Sequence, residues 1–326
     1  MVSHQHSNNG ISKTIYQLSN RRLFDFEKTL SLADRGVFLA STQKENFHIG
    51  TRVKALTFKD GKKTLNERLF LVNSINKLQI IFTDYSSNAT DDLPNLKIKL
   101  PIKDDNIDFV FMERFITDLE AERIDQIEAY LMAAGLKNYT LTSEEKQVID
   151  DFKKEAIGFG EFTYESIFNK IAQGRRLKKD DQISGNIPFV MAGVTNSGVV
   201  NYISNPVASF PKNSITIDIF GNTFYRSYGF GAGDDTGIYW SDEKKYSKEA
   251  MLFFTTSMSK SISGKFDYGS KLRSSKSINF KILLPTKNKK INLSVMETFI
   301  SAIQKLVIKD VVMYVNNKKG HNKKIN

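Results

Sequence analysis

The spacing of apolar positions changes sharply between residues 96 and 135. LKIKLP at 96–101 alternates in the manner of a strand and stops at Pro101. A polar turn follows. Phe109, Met112, Phe115, Ile116, Leu119, Ile127, Tyr130, Leu131 and Ala134 then recur at the three-and-four spacing of one helix face. Asp108 is a good N-cap, and Gly135 is a good stop. At 1.5 Å per residue the helix would span about 40 Å. The same pattern returns later. FKILLP at 280–285 reads as a strand, Asn292 as a cap, and Leu293, Met296, Phe299, Ile300, Ile303, Leu306, Val307 and Val311 as a helix face. A capping box from Thr142 to Glu145 opens a shorter helix after the first long one. Elsewhere the pattern is strand and turn: IPFVMAG, GVVNYIS, and SITIDIFGNTFYRSYGF at 214–230, broken at Gly221-Asn222. Residues 164–172 read as a helix, and the glycine-rich stretch 229–233 as a loop.

The recurrence is a duplication. Residues 96–116 and 280–300, offset by 184, share ten of 21 positions without a gap, among them Pro101/Pro285, Met112/Met296, Glu113/Glu297 and Phe115/Phe299. Upstream the order persists. LFLVNSINK at 69–77 matches LFFTTSMSK at 252–260, Asp84-Tyr85-Ser86 matches Asp267-Tyr268-Gly269, and NNGI at 8–11 matches NSGV at 196–199. YQLSN at 16–20 resembles YISN at 202–205. The copies differ at their start. The second opens with EFTYESIFNKIAQGRRLKKDDQISGNIPFV at 161–190, and nothing ahead of NNGI matches it, so the expectation is that the first copy lacks its opening segment or that the chain has been truncated.

Composition adds limits. With 40% hydrophobic and 25% charged residues, the 326-residue chain has enough apolar material for two domains with cores. It has no cysteine, which excludes disulfides, thiolate metal sites and a cysteine nucleophile, and suits a reducing compartment. The N-terminus lacks the apolar core of a signal peptide, and no apolar run reaches the roughly 20 residues a bilayer span needs. The expected setting is the cytoplasm. The net charge of +11 is uneven, with residues 1–150 summing to −1 and 151–326 to +12. Such a balance in the second copy suits a polyanion. The Lys-rich tail 316–326 reads as a frayed end.

Catalytic signatures are missing. The prolines are isolated, so an Asn-Pro-Pro-Tyr methyltransferase motif does not occur. There is no GxxxxGK[ST] loop and no HExxH. Gly229–Gly233 is followed by Asp234 and Asp235, which would repel a phosphate. His4 and His6 read as solvated. Asp218 stands on an apolar strand, a position that nucleases use, but no Glu-x-Lys partner follows it. What remains is binding chemistry. Arg175, Arg176, Lys178 and Lys179 form one basic turn; Lys260, Lys265, Tyr268, Lys271 and Arg273 form another with an aromatic among them. Asn196, Ser197, Asn222, Arg226 and Ser227 sit in or near turns, and Asn8, Asn9, Lys13 and Lys77 are candidates in the first copy. Lys and Arg neutralise phosphates, whereas Asn, Ser and Arg reach base edges. The same Asn-Ser-Gly and Gly-Asn sequences are also simply good turns.

These segments resemble a known family. EFTYESIFNKIAQGRRL, IPFVMAGVTNSGVVNYISN, NSITIDIFGNTFYRSYGF and YGSKLRSSKSINFKILLP are similar to a target recognition domain of the specificity subunit of Type I restriction-modification enzymes. The IKLP…IDFVFMERFI and ILLP…INLSVMETFI pattern is especially like the specificity subunits of Type IIB and Type IIG relatives. The resemblance implies an α/β (α+β) fold in which two target recognition domains of mixed sheet and short helices are separated by two long antiparallel spacer helices with pseudo-two-fold symmetry. Residues 1–106 would be the first reader and 107–155 the first spacer. Residues 156–290 would be the second reader, and 291–326 the second spacer with its basic tail. It further implies a non-catalytic subunit that reads a bipartite site on double-stranded DNA. Methyltransferase subunits, two of them, would dock on the spacer helices through positions such as Phe115, Leu119, Phe299 and Ile303. No cofactor is implied for this chain: S-adenosylmethionine would belong to the methyltransferase, and a restriction subunit is a further partner. The alternative is a degraded specificity subunit acting as a protein-binding decoy without DNA readout.

Overall fold

The computed structural model describes residues 1–5, 7–34, 38–82, 92–205, 207 and 209–325, with 321–325 described by their backbone. The Asp84–Ser86 stretch of the repeat and His6 lie outside the described residues. The chain divides into two compact units, residues 1–130 with 318–326, and residues 131–317.

In the first unit, β1 (Thr29–Asp34) lies between β2 (Phe38–Ser41) and β3 (Val53–Thr57), antiparallel to both. All of β1 is buried, with Leu30 and Leu32 in the core. Helix α1 (Leu65–Asn76) covers the sheet, and Thr64 and Glu67 form its capping box. A ribbon of β4 (Ile102–Lys103) and β5 (Asn106–Ile107) turns through Asp104 and Asp105, at φ 50° and 59°. It leads into α2 (Phe109–Ala133). Asp108 caps that helix by accepting the Phe111 N–H at 2.8 Å, as expected. Met112 is fully buried with Leu30 and Leu71.

The second unit takes in the end of α2. Gly135 stops that helix at φ 67°, where the Leu136 N–H reaches the Leu131 carbonyl at 2.8 Å. Helix α3 (Ser143–Lys153) follows behind the predicted Thr142–Glu145 capping box. Next come β6 (Phe159–Thr163), the single turn α4 (Tyr164–Ile167), β7 (Lys170–Gln173), β8 (Ser184–Val190), β9 (Val199–Ile203) and β10 (Ser209–Phe210). After these come β11 (Ser214–Asp218), β12 (Thr223–Arg226), β13 (Phe230–Ala232), β14 (Thr236–Trp240), α5 (Lys248–Ile262) and α6 (Ser274–Ser277). The unit closes with β15 (Lys281–Lys287), β16 (Lys290–Ile291) and the long α7 (Leu293–Ile325), whose last turns belong to the first unit. The strands form sheets ordered β10-β13-β8-β9, β12-β11-β14-β7 and β16-β15-β6. Tyr164, Tyr239, Phe254, Met258 and Met296 fill the main core.

The two units share a set of matching pairings. Strands β1, β2 and β3 correspond to β11, β12 and β14, and α1 to α5. The bridges Val2–Ile11, Val2–Ile49 and Phe24–Phe47 restate the pairings of β8 with β9, β8 with β13 and β10 with β13. The left-handed turn of the β4–β5 ribbon recurs at Asn288 and Lys289, at φ 53° and 62°. Pro101 and Pro285 each present a carbonyl to the next helix cap, Asp108 N–H at 2.9 Å and Asn292 N–H at 2.8 Å. The repeated glutamate has a matched task. Glu113 accepts from the Thr64 hydroxyl, and Glu297 accepts from Ser247 Oγ at 2.6 Å. In each unit, therefore, the long helix is tied to the N-cap of the domain helix.

Four expectations are corrected. Residues 164–172 are one helical turn and then strand β7, because Lys170–Gln173 pairs with Gly237–Trp240; tertiary pairing overrides local periodicity. Gly229–Gly233 contains strand β13, whose small Gly231 fits beside Phe189, with an added Cβ only 3.2 Å from that ring. FKILLP is a strand but LKIKLP is not. β15 pairs with β6, whereas 96–101 has no strand partner among the described residues. Finally, the basic tail is helical to Ile325. In the first unit Lys318 pairs with Glu120 at 2.6 Å, and Lys319 with Asp125 at 2.8 Å and with Glu128.

Glu145 ties α3 to α7. Its carboxylate accepts from Lys305 Nζ at 2.8 Å, Ser301 Oγ at 2.7 Å and the Thr142 N–H at 2.8 Å. Burial pushes its pKa up, but these donors outweigh burial and hold it below the ordinary value of 4.5. A depressed carboxylate stabilises the fold above its unfolded pKa, and the effect fades as pH falls through the folded one. Glu145→Gln is therefore expected to lose about 1–2 kcal/mol at neutral pH. In urea unfolding the gap from wild type should narrow below pH ~4.5.

Candidate nucleic-acid interface

A matched loop stands on the surface of each unit. Asn8 and Asn9 adopt φ 50° and 49°, and Asn196 and Ser197 adopt φ 47° and 53°. Consecutive left-handed residues are costly for anything but glycine, asparagine and a few polar types. Each loop then closes on a left-handed glycine, Gly10 at φ 76° and Gly198 at φ 81°. A Cβ there would meet the Ser3 carbonyl at 2.9 Å or the Met191 carbonyl at 2.8 Å. The Asn8 and Asn196 amides bond the carbonyls of Ile11 and Val199, both at 3.4 Å. Asn8, Asn9, Asn196 and Ser197 are all exposed.

Beneath each loop lies one buried polar side chain. In the first unit Gln43 Nε2 donates to the Asn9 carbonyl at 2.9 Å and to Ser31 Oγ at 3.0 Å. In the second, Arg226 donates from Nη2 to the Ser197 carbonyl at 2.7 Å, from Nε to Thr216 Oγ1 at 3.0 Å and from Nη1 to the Tyr228 hydroxyl at 3.2 Å. Its guanidinium lies over the Phe224 and Phe230 rings, 5.3 and 5.9 Å from their centroids. Arg226 is only 2% exposed, and burial lowers its pKa. The expectation of a surface contact at Arg226 is therefore corrected: it is an internal strut for the loop. Sequence alone did not reveal Gln43, because glutamine and arginine share no pattern; the signal was positional, with Gln43 two residues past the end of β2 and Arg226 at the end of the corresponding β12.

Asp218 and Asn222 form the other tip of that hairpin. Asp218 accepts the N–H groups of Phe220 at 2.8 Å, Asn222 at 2.9 Å and Gly193 at 3.0 Å, and the Asn222 amide at 2.8 Å. Its oxygens organise two turns, which accounts for an acid on an apolar strand without hydrolytic chemistry. Asn222 is half-buried on it, while Ser227 is exposed.

The basic turn opens into a cleft of about 640 Å³. Arg176, Lys178 and Lys179 line it together with Gln182, Asn201 and Asp234. Asn201 Nδ2 donates to Gln182 Oε1 at 2.9 Å, which sets two amides side by side. Arg273 donates to the Asp234 carbonyl, so the second basic cluster reaches the same cleft. Lys271 caps the exposed Tyr268 ring with Nζ 4.6 Å from the centroid. Arg175, Lys260 and Lys265 are exposed in this unit, as are Lys13 and Lys77 in the first. Gln182 and Asn201 were not foreseen: they lie on either side of a turn-rich stretch and meet only when β8 pairs with β9.

The four helix positions part ways. Phe115 and Leu119 are 46% and 39% exposed. Phe299 is packed, with its ring centroid 4.0 Å from that of Phe152, and Ile303 is half-buried. The expectation of an open Phe299 is corrected, since α3 lies against it. Among the described residues no helix is long and apolar enough to cross a membrane.

Comparison with known proteins gives a consistent picture. A family model described as Type I restriction modification DNA specificity domain matches residues 1–129 and 157–312. A specificity subunit of a Type II restriction enzyme, S.BcgI of Heyndrickxia coagulans, is 28% identical over 250 residues, covering 75% of this chain and 68% of that one. The crystal structure of a Type I restriction-modification S subunit from M. genitalium is similar in fold, with TM-score 0.58 at 16% identity, over 93% of this chain and 82% of that one.

Proposed function

The chain belongs to the family of Type I restriction-modification DNA specificity domains, as a specificity subunit of a restriction-modification system, and from that membership we propose that it reads a DNA site in two parts. The observation that carries this reading is the matched pair of Asn-x-Gly loops, each supported from beneath by a buried polar side chain of its own unit. Residues 1–106 and 156–290 act as readers. Residues 107–155 and 291–326 act as spacers that fix the distance between half-sites. Arg175, Arg176, Lys178, Lys179, Lys260, Lys265, Lys271 and Arg273 neutralise phosphates, as Lys13 and Lys77 do for the first reader. Asn8, Asn9, Asn196, Ser197, Asn222 and Ser227 stand nearer the bases. The chain performs no chemistry itself. Two methyltransferase subunits, which bring S-adenosylmethionine, dock on the spacer helices, and a restriction subunit joins them; the complex works in the cytoplasm. On α7 the exposed Leu306, Val307 and Val311 offer an apolar docking strip, with Val307 73% exposed.

Methylation mapping in cells that carry the chain and its methyltransferase tests the proposal. The expected motif has two specific parts with a fixed gap, and the purified chain alone neither methylates nor cuts. A continuous motif would rule out two readers. Binding to the methyltransferase without salt-dependent DNA affinity would favour the decoy reading instead, which the near-neutral first half of the chain supports.

A further inference from the structure

One contiguous segment does two jobs in the second unit. Helix α3 lays Phe152 between Phe299 of α7 and Phe253 of α5, with ring centroids 4.0 and 6.2 Å away. Strand β6 then pairs with β15 from Lys281↔Thr163 to Pro285↔Phe159, and the Thr286 N–H reaches the Gly158 carbonyl at 2.8 Å.

Both surfaces have counterparts in the first unit, and among the described residues no helix–strand segment covers them. By the repeat, Phe115 and Leu119 correspond to Phe299 and Ile303, and Phe70 to Phe253. Phe70, Phe111 and Phe115 form an aromatic cluster, with Phe111–Phe115 at 5.9 Å and Phe70–Phe115 at 5.7 Å. Yet Phe111 and Phe115 are 47% and 46% exposed. At 100° per residue Glu120 and Glu128, which hold Lys318 and Lys319, point well away from this face, whereas Asp125, the other partner of Lys319, lies about 40° from Phe111 at its edge. Residues 97–101 correspond to β15 in the repeat but form no strand and have no strand beside them among the described residues. Exposed aromatic clusters and open strand edges are recognised docking surfaces.

We propose that this face of the first unit docks a helix–strand segment of a partner protein: an amphipathic helix with one phenylalanine on its apolar side, followed by an extended strand. The chemistry of the occupant is read from residues 142–163, which fill the equivalent surface in the second unit. The aromatic enters the Phe70–Phe111–Phe115 cluster, and the strand adds antiparallel to residues 97–101. Two features fixed relative to each other in one unit are therefore met by one ligand of matching length.

The test uses the full chain and a synthetic peptide with the sequence of residues 142–163. Hydrogen exchange is expected to show new protection at amides of residues 96–102. Fluorescence anisotropy should give binding weakened about tenfold by Phe152→Ala in the peptide, the loss typical of a buried aromatic anchor. Phe115→Asp and, separately, Leu119→Asp in the chain should weaken binding by a similar factor while leaving the melting curve unchanged. Absence of binding at millimolar peptide would overturn the proposal. So would binding insensitive to both chain variants, which would signal exchange with α3 of the second unit. Self-association sensitive to Phe115→Asp would assign the face to a second copy, and protection in cis by a longer form of the chain would assign it to the chain itself; either overturns the partner.

Discussion

Arg226→Ala is expected to lower the stability of the second unit by about 3 kcal/mol, from lost charge-assisted hydrogen bonds and an unfilled cavity. In calorimetry that is a fall of about 6–12 °C for a unit of this size. Three groups lose their donor: the Ser197 carbonyl, Thr216 Oγ1 and the Tyr228 hydroxyl. The first matters most for function. Asn196 and Ser197 are both held in the left-handed region, where a serine has little intrinsic reason to stay. Without its anchor the loop should relax and sequence-specific methylation should fall further than stability alone explains. Arg226→Gln separates the two effects. Gln43 performs the same task in the first unit from a glutamine, so this variant should keep more of the loop geometry, and more specific methylation, than the alanine. Equal losses in both variants would show that the side chain only fills space.

The sequence made the repeated part legible and the positional part obscure. The segment from Pro101 to Phe115 and its copy from Pro285 to Phe299 were readable because strand, turn, cap and helix are local and each has its own residue signal. Asp108, Asn292 and Gly135 do in the structure what their residue types suggest. Strand β7 was misread because its identity is set by β14, more than 60 residues later, and not by its own spacing. LKIKLP shows the converse, a strand-like sequence with no strand to pair with among the described residues. Surface chemistry was legible only as composition. Arg176, Lys178 and Lys179 do line one cleft, but Arg226, equally basic, is buried in the hairpin, and no pattern of neighbours distinguishes the two. The amides of Gln182 and Asn201 carry no signal until β8 and β9 are paired.

Those amides and the basic rim should fail in different ways. Arg176→Glu, Lys178→Glu and Lys179→Glu together should weaken DNA binding on the order of a hundredfold or more near physiological salt, roughly equally for cognate and unrelated duplexes. Each lost phosphate contact removes ~0.9 from the slope of log affinity against log salt, so three of them should flatten it by about 2.7. All three side chains are exposed, so thermal stability should hardly move. Asn201→Ala acts on the exposed lining of the same cleft, where its amide donates to Gln182 Oε1 at 2.9 Å. If that amide reads a base edge, as the proposed function expects, its loss should relax discrimination at one position of the half-site by about 1–3 kcal/mol and leave the salt slope unchanged. Titrations of both variants on cognate and scrambled duplexes at several salt concentrations decide the matter. If the charge variants altered only discrimination, or Asn201→Ala altered only the slope, the cleft would not be the surface on which the second unit holds DNA.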